Sequence, residues 1–136
     1  MLQSRPMETL LHALEADARI AYALVFGSRA RGSAHAASDL DIAVGLRAGA
    51  HLEARELGDL ISTLERASGR TVDLVVLDEA PPAVAYRVFR DGSALVVKDR
   101  AALVARKTRA ILEYLDFRPI EELAARGAIA AAAHGR

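Results

Sequence analysis

The chain has no cysteine and no tryptophan, and aromatic residues make up only 4% of it. The first absence excludes disulfides, thiolate metal sites and a cysteine nucleophile, and it fits a reducing cytoplasm. The scarcity of aromatics argues against a base-stacking platform for nucleic acid. No charge of one sign dominates: 18 basic residues face 18 acidic ones. That balance argues against a general polyanion-coating surface, so direct nucleic-acid binding is not expected. No stretch reaches the roughly 18 uncharged apolar residues of a membrane-spanning helix. The N-terminal MLQSRPMETLLHALEADAR carries charges every few residues, unlike the apolar segment of a signal peptide. These absences predict a cytoplasmic protein without membrane contact.

What is present suffices for one core. The 136 residues, 52% of them apolar, match a single domain. Leu10, Leu11, Leu14 and Ala18 recur at helical spacing over 6–18. Ile20–Phe26 is a short apolar run that stops at Gly27-Ser28, the pattern of a buried strand ending in a turn. Over 38–46, Leu40, Ile42, Val44 and Leu46 alternate with Asp39, Asp41, Ala43 and Gly45, predicting a strand with an oily face and a small, acidic one. A helix is predicted over 51–68 and stopped by Gly69, then a buried strand over Thr71–Leu77 with Asp73 inside it. Pro81-Pro82 opens a helix through Arg90, Ala94–Val97 is a last strand, and a helix covers 100–116. Strands and helices alternate, so the class is α/β (α+β) with one sheet. The expected division is a domain over 1–118 and an alanine-rich helical tail over 119–136, which either frays or docks on a partner.

The chemistry-bearing pattern is Gly27-Ser28, ten intervening residues, Asp39-Leu40-Asp41, and Asp73 on a later strand. Aspartates two apart on a strand point the same way, with Cα atoms roughly 6.5 Å apart. Carboxylates so placed suit Mg²⁺, which takes a couple of them and fills its octahedron with waters and substrate phosphates. A Gly-Ser turn offers free backbone N–H groups to a phosphate, and glycine lets the backbone come close. Arg29 and Arg31, just after the turn, are candidates to clamp phosphate oxygens. A third carboxylate, Asp73, could complete a second metal site and help deprotonate an attacking hydroxyl. An acid inside an apolar strand requires a partner, and a metal would be one. Gly27-x₄-Gly32-Ser33 half-matches a P-loop but lacks its lysine. The histidines, His12, His35, His51 and His134, have no metal-ligand spacing, and Tyr22, Tyr86 and Tyr114 are read as packing residues.

GSRARG, then SAHAAS, then DLDIAV resembles the signature of the DNA polymerase β-like nucleotidyltransferase superfamily, and VDLVVL resembles its third-acid strand. The small size, AYRVFRDGSALVVKD and the helix ending EYLDF resemble its minimal nucleotidyltransferases, over roughly residues 7–118. The resemblance implies a small mixed sheet flanked by helices, and metal ligation by Asp39, Asp41 and Asp73 with two Mg²⁺ ions. It further implies that Asp73 activates the acceptor, and that Gly27, Ser28, Arg29, Arg31 and Ser38 bind the nucleotide. Many such proteins are antitoxins that adenylylate a HEPN-domain toxin. The expected reaction is therefore transfer of an NMP, foremost AMP from ATP, to a hydroxyl of that partner. Two alternatives are a small-molecule transferase of the aminoglycoside-modifying sort and an antitoxin that neutralises by binding alone.

Overall fold

The computed structural model describes residues 4–27 and 39–116. The elements run α1 (Ser4–Ala16), β1 (Ile20–Phe26), β2 (Leu40–Leu46), α2 (Ala54–Ser68), β3 (Val72–Val76), a 3₁₀ turn (Leu77–Glu79), α3 (Pro82–Asp91) and β4 (Ser93–Val97). A last helix, α4, covers 100–116. The anticipated helix over 51–68 begins only at Ala54, where Glu56 accepts the N–H of Glu53 at 2.9 Å and sets the first turn. It ends at Gly69, whose φ of 71° is the left-handed conformation that lets its N–H return to the Glu65 carbonyl. The predicted tail over 119–136 lies outside the described residues. No described helix is long and apolar enough to cross a membrane.

The strands form one mixed sheet in the order β3-β2-β1-β4. β1 pairs antiparallel with both β2 and β4, whereas β2 and β3 are parallel and joined through α2. This order corrects the expectation of a buried third-acid strand. β3 is an edge strand, its Leu74, Val75 and Val76 are half-buried, and Asp73 is exposed. Solvent reaches one side of an edge strand, so Asp73 carries no burial cost that a partner must offset.

Both faces of the sheet are covered. Leu40, Ile42, Val44 and Leu46 point, as anticipated, into a core with Leu10 and Leu14 of α1 and Leu60 and Leu64 of α2. The opposite face, small and acidic as expected, is also covered over its small residues. Ala43 there is fully buried with Ala21, Tyr22, Leu24, Ala85, Val88 and Ala110 beneath α3 and α4. Gly45 accommodates the Tyr22 ring, since a Cβ at that position would overlap Cζ and Oη of the tyrosine. Tyr22 is thus a packing residue, and burial, then the charge of Asp78, pushes its phenol up to about 12. Among the residues of β2, Asp41 alone is half-buried and the others are buried.

Two cations tie the layers together. Lys98, just past β4, donates to the carbonyls of Leu14, Glu15 and Asp17 at 2.7–3.2 Å, closing the C-terminal end of α1. Arg106 of α4 is buried and donates Nε and Nη2 to the Leu77 carbonyl at 3.0 Å, fixing the chain where β3 ends. Sequence reading did not single out Arg106. Its spacing from Leu103 and Ala110 is the signal that places it on the buried stripe of α4.

Candidate active site

The site lies where β1 ends and β2 and β3 begin. In the sheet register Phe26 stands opposite Asp41 on one side, and Asp73 stands opposite Asp41 on the other. Adjacent parallel strands lie about 4.8 Å apart, and residues in register share a face, so Asp41 and Asp73 project side by side. Asp39 precedes the first residue of β2 and is exposed. It is still close enough for its charge to act on Asp41. The topology thus brings together three acids that the sequence separates by up to 34 positions, as 73 − 39 shows.

Gly27 closes the fourth side. Its φ is 75°, a conformation that L side chains rarely adopt. A Cβ there would overlap Asp41 Oδ2 and lie 3.1 Å from its Cγ. The glycine therefore serves two purposes: it makes the left-handed turn and leaves room for the carboxylate. Gly92, at the end of α3, packs equally tightly, and a Cβ on it would come 3.2 Å from the Val25 carbonyl and 3.5 Å from Phe26 Cβ. The C-terminal end of α3 thus backs the strand that leads into the turn.

The three acids act on one another electrostatically. Burial, then the charges of Asp73 and Asp39, holds the Asp41 carboxyl above the usual carboxylate range. Among the described residues none of the three carboxylates has a hydrogen-bond or ion-pair partner. A cation bound between carboxylates so placed would offset their mutual repulsion. No group of three or more His, Cys, Asp or Glu side chains among the described residues is spaced to hold one metal ion. The donor set in register is the pair Asp41 and Asp73, with Asp39 at its side. Two carboxylates, with the remaining positions open to water and phosphate oxygens, suit Mg²⁺ chemistry. Ser28, Arg29, Arg31 and Ser38, expected at the nucleotide, lie outside the described residues, as do His35 and His134. His12 and His51 are exposed, and His51 faces Glu53 at 3.6 Å, away from the acids in sequence and in the fold.

The sequence family described as polymerase beta, nucleotidyltransferase matches residues 8–101, well over half of the chain. No curated protein sequence matches it. Among solved structures, the fold is similar to one in a toxin–antitoxin complex with AMP-PNP, with a TM-score of 0.77 at 22% identity over 90% of this chain and 98% of that one. It is similar also to one in the complex of a tri-AMPylated Shewanella oneidensis HEPN toxin with its MNT antitoxin. There the TM-score is 0.74 at 20% identity, over 93% of this chain and 98% of the other. A structure described as a minimal nucleotidyltransferase is 31% identical over 68% of this chain and 90% of its own, with a TM-score of 0.50. Those two complexes share the fold. The family match and the 31% identical relative add the sequence, and by them the chain belongs to the polymerase beta nucleotidyltransferases.

Proposed function

We propose that this chain transfers AMP from ATP to a side-chain hydroxyl of a HEPN-domain toxin and so acts as its antitoxin in the cytoplasm. One observation carries the reading: Asp41 and Asp73 stand in register on neighbouring strands, beside a left-handed glycine turn that a side chain would block. That arrangement suits phosphoryl-group chemistry, in which paired carboxylates meet a metal and phosphate oxygens. The likeness to toxin–antitoxin folds, one bound to AMP-PNP and one with an AMPylated toxin, supports the choice of nucleotide and partner.

In the proposed reaction the acceptor oxygen forms a bond to the α-phosphorus of ATP. The bond from that phosphorus to the bridging oxygen breaks, and pyrophosphate leaves. Asp39, Asp41 and Asp73 are the residues that would hold Mg²⁺. When bound, the metal supplies Lewis-acid stabilisation of the charge on the entering and leaving oxygens. Asp73, exposed on the edge strand, is placed to receive the acceptor's proton, because a solvent-facing carboxylate can pass that proton on to water. The triphosphate would be bound by backbone N–H groups of Gly27 and Ser28, and Arg29, Arg31 and Ser38 are the further residues assigned to it. The test is co-expression with a HEPN-domain protein, read by intact-mass spectrometry. A partner mass gain of one or more AMP units, absent with Asp41→Asn, is the expected result. A tight complex with no mass gain would refute the transferase reading.

A further inference from the structure

Asp73 stands on a strand that has a neighbouring strand on one side only. The outer backbone groups of such a strand have no ladder to hold them, yet Asp73 must keep its place beside Asp41 if the pair is to act together. The inner side is secured by β2. The Leu40 N–H donates to the Thr71 carbonyl at 2.8 Å, and the parallel register runs from Leu40 opposite Val72 to Val44 opposite Val76. Backbone groups of successive strand residues point to opposite edges, so those of Thr71 and Asp73 face β2 and those of Val72 face outward. The outward Val72 N–H is not left to water. It donates to Oε2 of Glu65 at 2.9 Å.

Glu65 lies in the last turn of α2 and holds both ends of the link to β3. Its carbonyl accepts the Gly69 N–H at 2.8 Å and closes the helix, and its carboxylate accepts the Val72 N–H where the strand begins. Between them the Arg70 N–H donates to Oγ of the buried Ser68 at 3.2 Å. Gly69, Arg70 and Val72 thus all donate to α2, while Thr71 accepts from β2. The Val72 side chain is buried in the core with Leu60 and Leu64 of the same helix. Asp73 is the next residue, on the opposite face of the strand. A link tied at each of these points transmits the position of α2 to the third acid.

We infer that Glu65 is a positioning residue for the transfer reaction: by accepting the Val72 N–H it holds the start of β3, and with it Asp73, in place beside Asp41. This rests on the function proposed above, in which Asp73 receives the acceptor's proton. Glu65 acts through the backbone, so its reach matters and its charge matters less. The amide oxygen of a glutamine reaches the same N–H, whereas a carboxylate one methylene shorter falls short of it. A displacement of about 1 Å at a reacting group can cost on the order of a hundredfold in rate, and hydrogen bonds behind the reacting groups are what prevent it. Gly27 and Asp41 lie on β1 and β2 and make no contact through Glu65, so the hold on the nucleotide is separable from the hold on Asp73.

The experiment uses the full chain and the HEPN-domain protein of the test above, with Glu65→Ala, Glu65→Asp, Glu65→Gln and Asp73→Asn. Glu65 is half-buried and alanine is a strong helix former, so α2 should tolerate the change. Transfer is followed by intact-mass spectrometry below the melting temperature of every variant, with kcat and KM for ATP determined separately. Glu65→Ala and Glu65→Asp should lose about tenfold or more in kcat, with KM for ATP within about twofold of wild type because Gly27 and Asp41 stay in place. Glu65→Gln should stay within about threefold of wild type, since it keeps the acceptor oxygen. The residual transfer of Asp73→Asn should fall no further when Glu65→Ala is added, because the acid being positioned is already gone. Wild-type kcat in Glu65→Ala and Glu65→Asp would overturn the inference. So would an equal fold-loss from Glu65→Ala with and without Asp73→Asn, the mark of general destabilisation. A loss in Glu65→Gln as large as in Glu65→Asp would overturn it as well, by making charge the property that counts. If Glu65→Ala does not fold, the Gln and Asp variants decide between reach and charge on their own. Failure of the underlying reading looks different: the wild type transfers nothing, or Asp73→Asn transfers at the full rate, and either result overturns this inference with it.

Discussion

Asp41→Asn should make the metal-free protein more stable and make it indifferent to Mg²⁺. Asp41 lies one strand from Asp73, a separation of roughly 5 Å. Two unit charges at that distance repel by about 0.8 kcal/mol in water. Asp39 adds somewhat less from a greater distance, and Asp73 and Asp39 are both exposed, so solvent and salt screen the sum. About 1 kcal/mol survives, which for a domain of this size raises the melting temperature by about 3–5 °C. The pH dependence has a definite sign. Asp41 is held above the usual carboxylate range in the fold, so the folded chain binds this proton more tightly than the unfolded one. The contribution is favourable at low pH and is lost as pH rises through the raised value, leaving the full penalty at neutral pH. Asp41→Asn should flatten that slope. The assay is thermal unfolding at neutral pH in a chelator and in millimolar Mg²⁺, with and without AMP-PNP. Wild type should gain stability with Mg²⁺ and nucleotide, and the variant should not. A variant no more stable than wild type in the chelator would refute the like-charge argument, and one that kept the full Mg²⁺ response would remove Asp41 from the metal site.

The remaining predictions concern the packing that shapes the site. Gly27→Ala should cost at least about 1 kcal/mol through its left-handed backbone and should abolish stabilisation by nucleotide, because the new methyl displaces the Asp41 carboxylate; thermal shifts with AMP-PNP test both. Gly45→Ala should cost about 1–3 kcal/mol by overpacking, read as a lower urea midpoint. Tyr22→Phe should not rescue it, since ring carbons as well as the hydroxyl occupy the space. Asp17→Asn should weaken the chain most at neutral pH. Asp17 accepts from Nε and Nη2 of Arg19 at 3.0 and 2.7 Å, and these hydrogen bonds hold its carboxyl below the usual range. That stability is present above the ordinary carboxylate value and lost as pH falls through the lowered one. Acid unfolding of wild type and variant should therefore converge at low pH, and a constant difference across the titration would contradict the assignment.

Much of this protein was legible in its sequence because the information was local. The periodicities of Leu10 to Leu14 and of Leu57 to Leu64, the run Ile20–Phe26 and the alternation from Leu40 to Leu46 each depend on a single element burying its own apolar face, whereas Ala18 lies beyond α1 and Leu52 before α2. The spacing of Gly27, Asp39 and Asp41 is local too, and the structure sets Gly27 against Asp41 on β2 with Asp39 just before the strand. What only the tertiary structure decided is non-local. The order β3-β2-β1-β4 puts Asp73 on an exposed edge and not in a buried strand, and the parallel register sets it beside Asp41. The second face of β2 is closed by Tyr22 over Gly45 and by α3 and α4, residues with no neighbourhood in the sequence. Alternation along one strand shows which side chains share a face. It cannot show what lies against that face, because the partner strands and helices come from elsewhere in the chain and their pairing is settled only when the whole sheet forms.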